Sequence, residues 1–136
     1  MAKSTSTRVN VAVGLVIKDD KILIAKRHAH QHQGNCWEFP GGKVEPNETT
    51  EQALGRELKE EVGIHVTQSD FLFTIEHDYD DKHVALHIFN VVEFNGEPRH
   101  QEQQPMCWRL LSTLSDLDFP LANQPILDYL NPATGQ

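Results

Sequence analysis

Glu57, Glu60 and Glu61 stand in the run Arg56-Glu57-Leu58-Lys59-Glu60-Glu61-Val62-Gly63. At about 100° per residue the three carboxylates fall within a roughly 100° arc of one helical face, because residues three and four apart are neighbours on an α-helix. Like charges at this spacing cost a helix on the order of 0.2–0.5 kcal/mol per pair. A hard divalent cation such as Mg²⁺ offsets that cost, since it takes oxygen ligands and sits between carboxylates and the phosphates of a substrate. The competing interpretation is a solvated acidic face, the usual meaning of a charge run.

The element that must position these groups is well marked. Thr49-Thr50-Glu51-Gln52 fits a capping box, which fixes helix entry at Thr49, and Gly63 stands where a left-handed terminal residue is expected. Leu54, Leu58 and Val62 recur at i, i+4 and i+8 and predict the buried stripe, with Glu57 and Glu61 at its edges. Just before the helix, Gly41 and Gly42 permit positive φ and close backbone approach, so the Gly41 carbonyl can turn toward a cation. An ordinary turn is the plainer alternative. The planar fork of Arg56 suits a neighbouring carboxylate and is expected to orient Glu57 or Glu60.

The rest of the chain reads as a mixed α/β (α+β) arrangement. Arg8 to Ile17 and Ile22 to Ala25 are strand-like runs about a Lys18-Asp19-Asp20-Lys21 turn, and predict a hairpin. After a His-rich loop, Trp37 to Phe39 predicts a short strand ended by Pro40-Gly41-Gly42. Phe71 to His77 and Val84 to Phe94 read as paired strands about Asp80-Asp81, followed by an Asn95-Gly96 turn, a strand near Cys107 to Leu111 and a helix near Gln124 to Leu130.

With 136 residues, 38% of them hydrophobic, the chain is expected to be one domain over 1–136 with 1–7 flexible. Met1 to Thr7 has no apolar run of the kind that directs secretion, and no stretch approaches the roughly 18 apolar residues that cross a bilayer, which points to a cytoplasmic protein without a membrane partner. Cys36 and Cys107 are expected to be reduced, buried or half-buried thiols. A formal charge of −8 argues against polymeric nucleic acid, whose binding needs clustered Lys and Arg, but not against small nucleotides.

Gly42, Glu48, Arg56, Glu57, Leu58, Glu60, Glu61, Gly63 and Ile64 match the signature of the Nudix hydrolases without departure. The chain therefore resembles that family. Trp37-Glu38-Phe39-Pro40-Gly41-Gly42-Lys43, Asp118-Phe119-Pro120-Leu121-Ala122-Asn123 and the strand ending at Lys26-Arg27 extend the resemblance to the MutT type over nearly the whole chain. It implies a Nudix fold, with a mixed central sheet sandwiched between helices. It also implies hydrolysis of a nucleoside diphosphate linked to another moiety, in the MutT type 8-oxo-dGTP, with Mg²⁺ as cofactor and Mn²⁺ as a substitute. By the same resemblance the metal ligands are the Gly41 carbonyl, Glu60, Glu61 and Glu102, with Glu57 as a further ligand or as the base that prepares water. Glu48 stabilises the loop or meets the metals through water.

For the nucleotide, the resemblance implies Arg27, His32, Tyr79 and Lys82 near the substrate, although the family more often has Arg in place of Lys82. Phe39, Pro120, Leu121 and Ala122 fall in segments expected to line the base pocket. The alternation of His28, His30 and His32 could suggest a transition-metal site, but a loop gives no preset geometry and a solvated loop is the simpler interpretation. Asn123 is the candidate base reader: its amide offers an acceptor and a donor that match N7–H and O6 of 8-oxoguanine, whereas guanine presents acceptors at both positions. The competing role for Asn123 is an N-cap.

Three functions remain open at this point. They are MutT-type cleavage of 8-oxo-dGTP to 8-oxo-dGMP and pyrophosphate by a monomer that sanitises the precursor pool, a Nudix pyrophosphatase acting on CTP or a modified dCTP, and a catalytically silent nucleotide-binding module.

Overall fold

The structure, a computed structural model, describes residues 7–26, 36–79, 81–99 and 105–131. Its frame is a seven-stranded mixed sheet. Strands β1 (Thr7–Lys18) and β2 (Lys21–Lys26) form the expected hairpin, with Asp19 in the turn at φ 61°. β1 also runs parallel to β6 (Lys82–Asn95), which pairs antiparallel with β5 (His65–Tyr79). β3 (Trp37–Glu38) and β7 (Met106–Leu110) both pair with β2.

Two expectations change here. Pro40-Gly41-Gly42 does more than end a strand: Gly41–Lys43 form β4, which pairs antiparallel with β1 from Val11 to Val13. Backbone pairing against a central strand overrides the poor strand propensity of glycine. β5 starts at His65 rather than Phe71, because the polar stretch up to Asp70 runs along a sheet edge, where exposed positions need no hydrophobic alternation. Register shifts between Val66 and Phe73 accompany that extension.

Helix α1 (Thr50–Val62) has the predicted boundaries and caps. Thr49 accepts from the Gln52 backbone N–H, the Gln52 side chain accepts from the Thr49 backbone N–H, and Gly63 is left-handed at φ 74°. Ala53, Leu54, Leu58 and Val62 are buried against Ala12, Val16, Leu23, Phe89 and Val91 on one face of the sheet. The other face packs Val13, Leu15, Ile24, Ile75 and Ile88 against Leu114 and Ile126. Ile126 belongs to α2 (Gln124–Leu130), and Leu114 to a 3₁₀ helix at Leu111–Asp116 that the sequence did not announce. The sheet is thus covered on both faces, as expected of the fold class. Cys36 and Cys107 are free and half-buried.

Candidate active site

The start of β4 and the second turn of α1 meet through contacts that only glycines permit. Gly41 holds φ +156°, and a Cβ there would lie 2.0 Å from the Ala12 carbonyl oxygen. A Cβ on Gly42 would lie 2.2 Å from Cδ of Glu57 and 2.5 Å from both its carboxylate oxygens. The Glu57 carboxylate therefore rests directly on the β4 backbone. Glu61, only 6% exposed, accepts a hydrogen bond from the Gly41 N–H at 3.0 Å. A buried carboxylate needs such donors to offset its desolvation.

Arg56 organises the solvent side. Its fork donates to Glu48 through Nε at 2.6 Å and Nη2 at 2.9 Å, while Nη2 also reaches the Lys43 carbonyl. Nη1 spans Glu57 at 3.0 Å and Glu60 at 3.3 Å. The bidentate contact thus goes to Glu48, and the carboxylates expected to receive it get single bonds. Side-chain exposure grades outward, from 20% for Glu57 to 55% for Glu60. The Arg56 hydrogen bonds, followed by the Glu45 backbone N–H, pull the Glu48 carboxyl from 4.5 down to about 2. Hydrogen bonding to Glu48, then Glu57, pushes the guanidinium further into its charged form.

The acids fit a hard cation in donor chemistry, and the Gly42 cradle sets the seat of one of them. Among the described residues, however, no three His, Cys, Asp or Glu side chains converge as a ready-made metal centre. Arg56 occupies the space between Glu57 and Glu60, and Gly41 engages Glu61.

Beside β4 a cavity of about 300 Å³ brings together Phe39, Tyr79, Lys82, Ala122 and Asn123 with Gly41 and Gly42. These residues come from β3–β4, the β5–β6 hairpin end and the segment before α2. The sheet itself makes the floor through Val9, Val11, Val13, Val84 and Leu86. Phe39 is buried and stacks on Phe119, with centroids 5.0 Å apart and planes 12° apart. Asn123 occupies the N-cap position of α2 without a side-chain cap hydrogen bond. Pro125 explains part of this, because it removes one of the two N–H groups that an N-cap side chain usually engages.

Pro120 lines the cavity as expected, but Leu121 does not: it is 75% exposed and absent from the lining. Glu38, Lys43 and the floor residues were not singled out from the sequence, although the period-two alternation Val9, Val11, Val13 was a usable signal for the floor. Arg27, His32 and Glu102 lie outside the described residues.

The NUDIX domain family model matches residues 12–129. An 8-oxo-dGTP diphosphatase of Escherichia coli (strain K12) is 40% identical over 124 residues, covering 90% of this chain and 96% of that protein. A CTP pyrophosphohydrolase of the same organism is 38% identical over 114 residues, covering 84% of this chain and 83% of that protein. Among solved structures, one of MutT from work on Aliivibrio salmonicida and Vibrio cholerae superimposes with TM-score 0.79 at 36% identity, covering 91% of this chain and 97% of that one.

Proposed function

This chain belongs to the NUDIX domain family, and on that footing we propose that it is an 8-oxo-dGTP diphosphatase that releases 8-oxo-dGMP and pyrophosphate. It is a metal-dependent hydrolase of phosphoric anhydride bonds. The observation that carries the substrate assignment is the cavity beside Gly41 and Gly42, where an Asn123 side chain free of cap duty meets the apolar wall of Phe39 and the sheet floor.

In this reading Glu60, Glu61 and the Gly41 carbonyl would hold Mg²⁺, for which Mn²⁺ would substitute, and the resemblance adds Glu102. Of the two roles open to it, ligand or base, Glu57 takes that of base. When bound, the cation neutralises phosphate charge and acidifies water. Glu57 takes the proton from the attacking water, directed at the β-phosphorus as in the family. Arg56 fixes Glu57 and Glu60 through one nitrogen while Glu48 anchors the other end of the fork. Nη1 touches one oxygen of each acid, Glu57 Oε2 and Glu60 Oε1. Tyr79 and Lys82 face the nucleotide from the hairpin end, and the family resemblance adds Arg27 and His32 as substrate contacts. Asn123 accepts from N7–H and donates to O6, and the valine floor excludes water from that pair.

In this reading the working unit is a monomer. No helix among the described residues is long and apolar enough to cross a membrane. We place the activity in the cytoplasm, where precursor nucleotides are consumed.

A nucleotide panel with Mg²⁺ or Mn²⁺, with both products identified, tests the assignment. Preference for 8-oxo-dGTP over dGTP and CTP supports it; the CTP pyrophosphohydrolase relative makes preference for CTP the competing outcome. Hydrolysis in ¹⁸O-labelled water should place label in pyrophosphate. Label in the nucleoside monophosphate would instead indicate attack at the α-phosphorus.

A further inference from the structure

Tyr79 and Lys82 close the β5–β6 ladder, paired directly across the hairpin end, and both line the cavity. Successive residues of a strand face opposite sides of a sheet, so the next pair, Asp78 and His83, lies on the back of the same hairpin end. There the His83 ring is held at both nitrogens. Nδ1 bonds Asp78 Oδ1, and Nε2 bonds Glu76 Oε1 at 2.7 Å. Ionised carboxylates only accept hydrogen bonds, so both contacts form together only when both ring nitrogens carry protons. The arrangement is a clamp built for an imidazolium.

We propose that His83 is a positioning residue, whose imidazolium, gripped by Asp78 and Glu76, fixes the hairpin end that presents Tyr79 and Lys82 to the nucleotide. The proposal rests on the reading of the cavity as the nucleotide site. His83 touches no substrate; it acts through the strand pair beneath Tyr79 and Lys82, whose ammonium lies 5.9 Å over the Tyr79 ring.

The charged surroundings favour the clamp. β5 supplies Asp78 and Glu76, and Asp81 follows in the turn. On β1 the register partner of His83 is Arg8, whose charge opposes the imidazolium but whose Nε is engaged by Asn10. His87, further along β6, bonds Asn10 and Thr74, and burial followed by the Arg8 charge keeps it toward neutral. The hydrogen bond to Asp78, then that to Glu76, raises the His83 pKa above its ordinary 6.5. A raised folded-state pKa means that the clamp is complete below 6.5 and is lost as pH rises through the raised value.

The test compares wild type, His83→Gln and His83→Lys in kcat and KM for 8-oxo-dGTP from about pH 6 to about pH 9, with amide hydrogen exchange of Tyr79 and Lys82 in the nucleotide-free protein. An exposed ionic contact is worth about two- to fivefold in an equilibrium constant, here that between the ordered and the frayed hairpin end. KM of His83→Gln should exceed that of wild type by this factor at the acid end, the gap should close toward the alkaline end, and kcat should not follow it. His83→Lys should hold the low KM throughout. Exchange at Tyr79 and Lys82 should be faster in His83→Gln at about pH 6 and restored in His83→Lys. Equal KM values for wild type and His83→Gln at every pH, or unchanged exchange, overturns the proposal. If wild type hydrolyses no nucleotide, the cavity reading fails while the exchange comparison still decides whether the clamp exists. Should His83→Gln not fold, Asp78→Asn and Glu76→Gln remove the negative charges that favour the imidazolium instead and carry the same expectations.

Discussion

The carboxylate of Glu57 lies where the first side-chain carbon of residue 42 would otherwise be, so a Cβ on Gly42 and the native seat of Glu57 exclude one another. Gly42→Ala should therefore displace Glu57 by about an ångström or more and lower kcat by roughly 100-fold, the usual consequence of misplacing a reacting group by that distance. Glu57→Gln, which leaves the seat filled but cannot take a proton, should lose at least as much while nucleotide binding persists. Steady-state kinetics with nucleotide titrations check both. Gly42→Ala activity within a few fold of wild type would show that Glu57 needs no fixed seat.

The link between Glu48 and Arg56 should be visible as a pH dependence of stability. A carboxyl pulled from 4.5 to about 2 stabilises the fold above the ordinary value and loses that contribution as pH falls from 4.5 through about 2. The stability gap between wild type and Glu48→Gln should be constant above that window and close below it. Denaturant melts across the acid range measure it. A gap that widened toward low pH would contradict the sign of the shift.

Asn123→Ala should lower the ratio of kcat/KM for 8-oxo-dGTP over dGTP by about 10- to 100-fold, because a polar group left unmet when the base covers it costs about 1–3 kcal/mol. Phe39→Leu, which trims a buried wall, should weaken both nucleotides together. Leu121→Ala should change neither ratio nor affinity appreciably, since the side chain stands in solvent. An unchanged ratio in Asn123→Ala would move the choice of base to backbone groups.

Gly55 sits in the middle of α1, and nothing lies within 4 Å of where its Cβ would be. Gly55→Ala should stabilise the protein by about 0.5–1 kcal/mol, as alanine does in an unobstructed helix interior. Urea denaturation checks the gain, with an unchanged slope expected if only the unfolded chain's entropy and helix propensity are involved.

Legibility differed between the two halves of the site. α1 could be bounded to the residue because its signals are local: a capping box, a stripe at helical spacing and a terminal glycine act within a few turns of chain. β4 could not, since Gly41 and Gly42 become a strand only by pairing with β1, a contact that no local pattern encodes. The polar first half of β5 was hidden for the same reason, as partnership with β6 decides its conformation. In the cavity, Phe39, Tyr79, Lys82, Ala122 and Asn123 were expected together and are found together, whereas Leu121 fell off the wall because its short 3₁₀ turn aims neighbouring side chains in different directions. Arg56 was expected to grip a catalytic acid; its fork goes to Glu48, whose place beside it depends on how the loop after β4 folds back.

The parallel pairing of β1 with β6 sets an order of events during synthesis. On their β6-facing edge, residues from Thr7 to Val16 are paired only once Lys82 to Val91 arrive, so that ladder closes across much of the chain. Non-local pairing of this kind is slow, because the closure entropy must be met before the contact rewards it. While the chain emerges, the β1–β2 hairpin can form but its β6-facing edge stands open, with unpaired N–H and C=O groups beside Val13, Leu15 and Val16. That interval is when a nascent chain of this protein is most exposed to pairing with another copy, and slowing the arrival of β6 should raise aggregation without changing the stability of the finished fold.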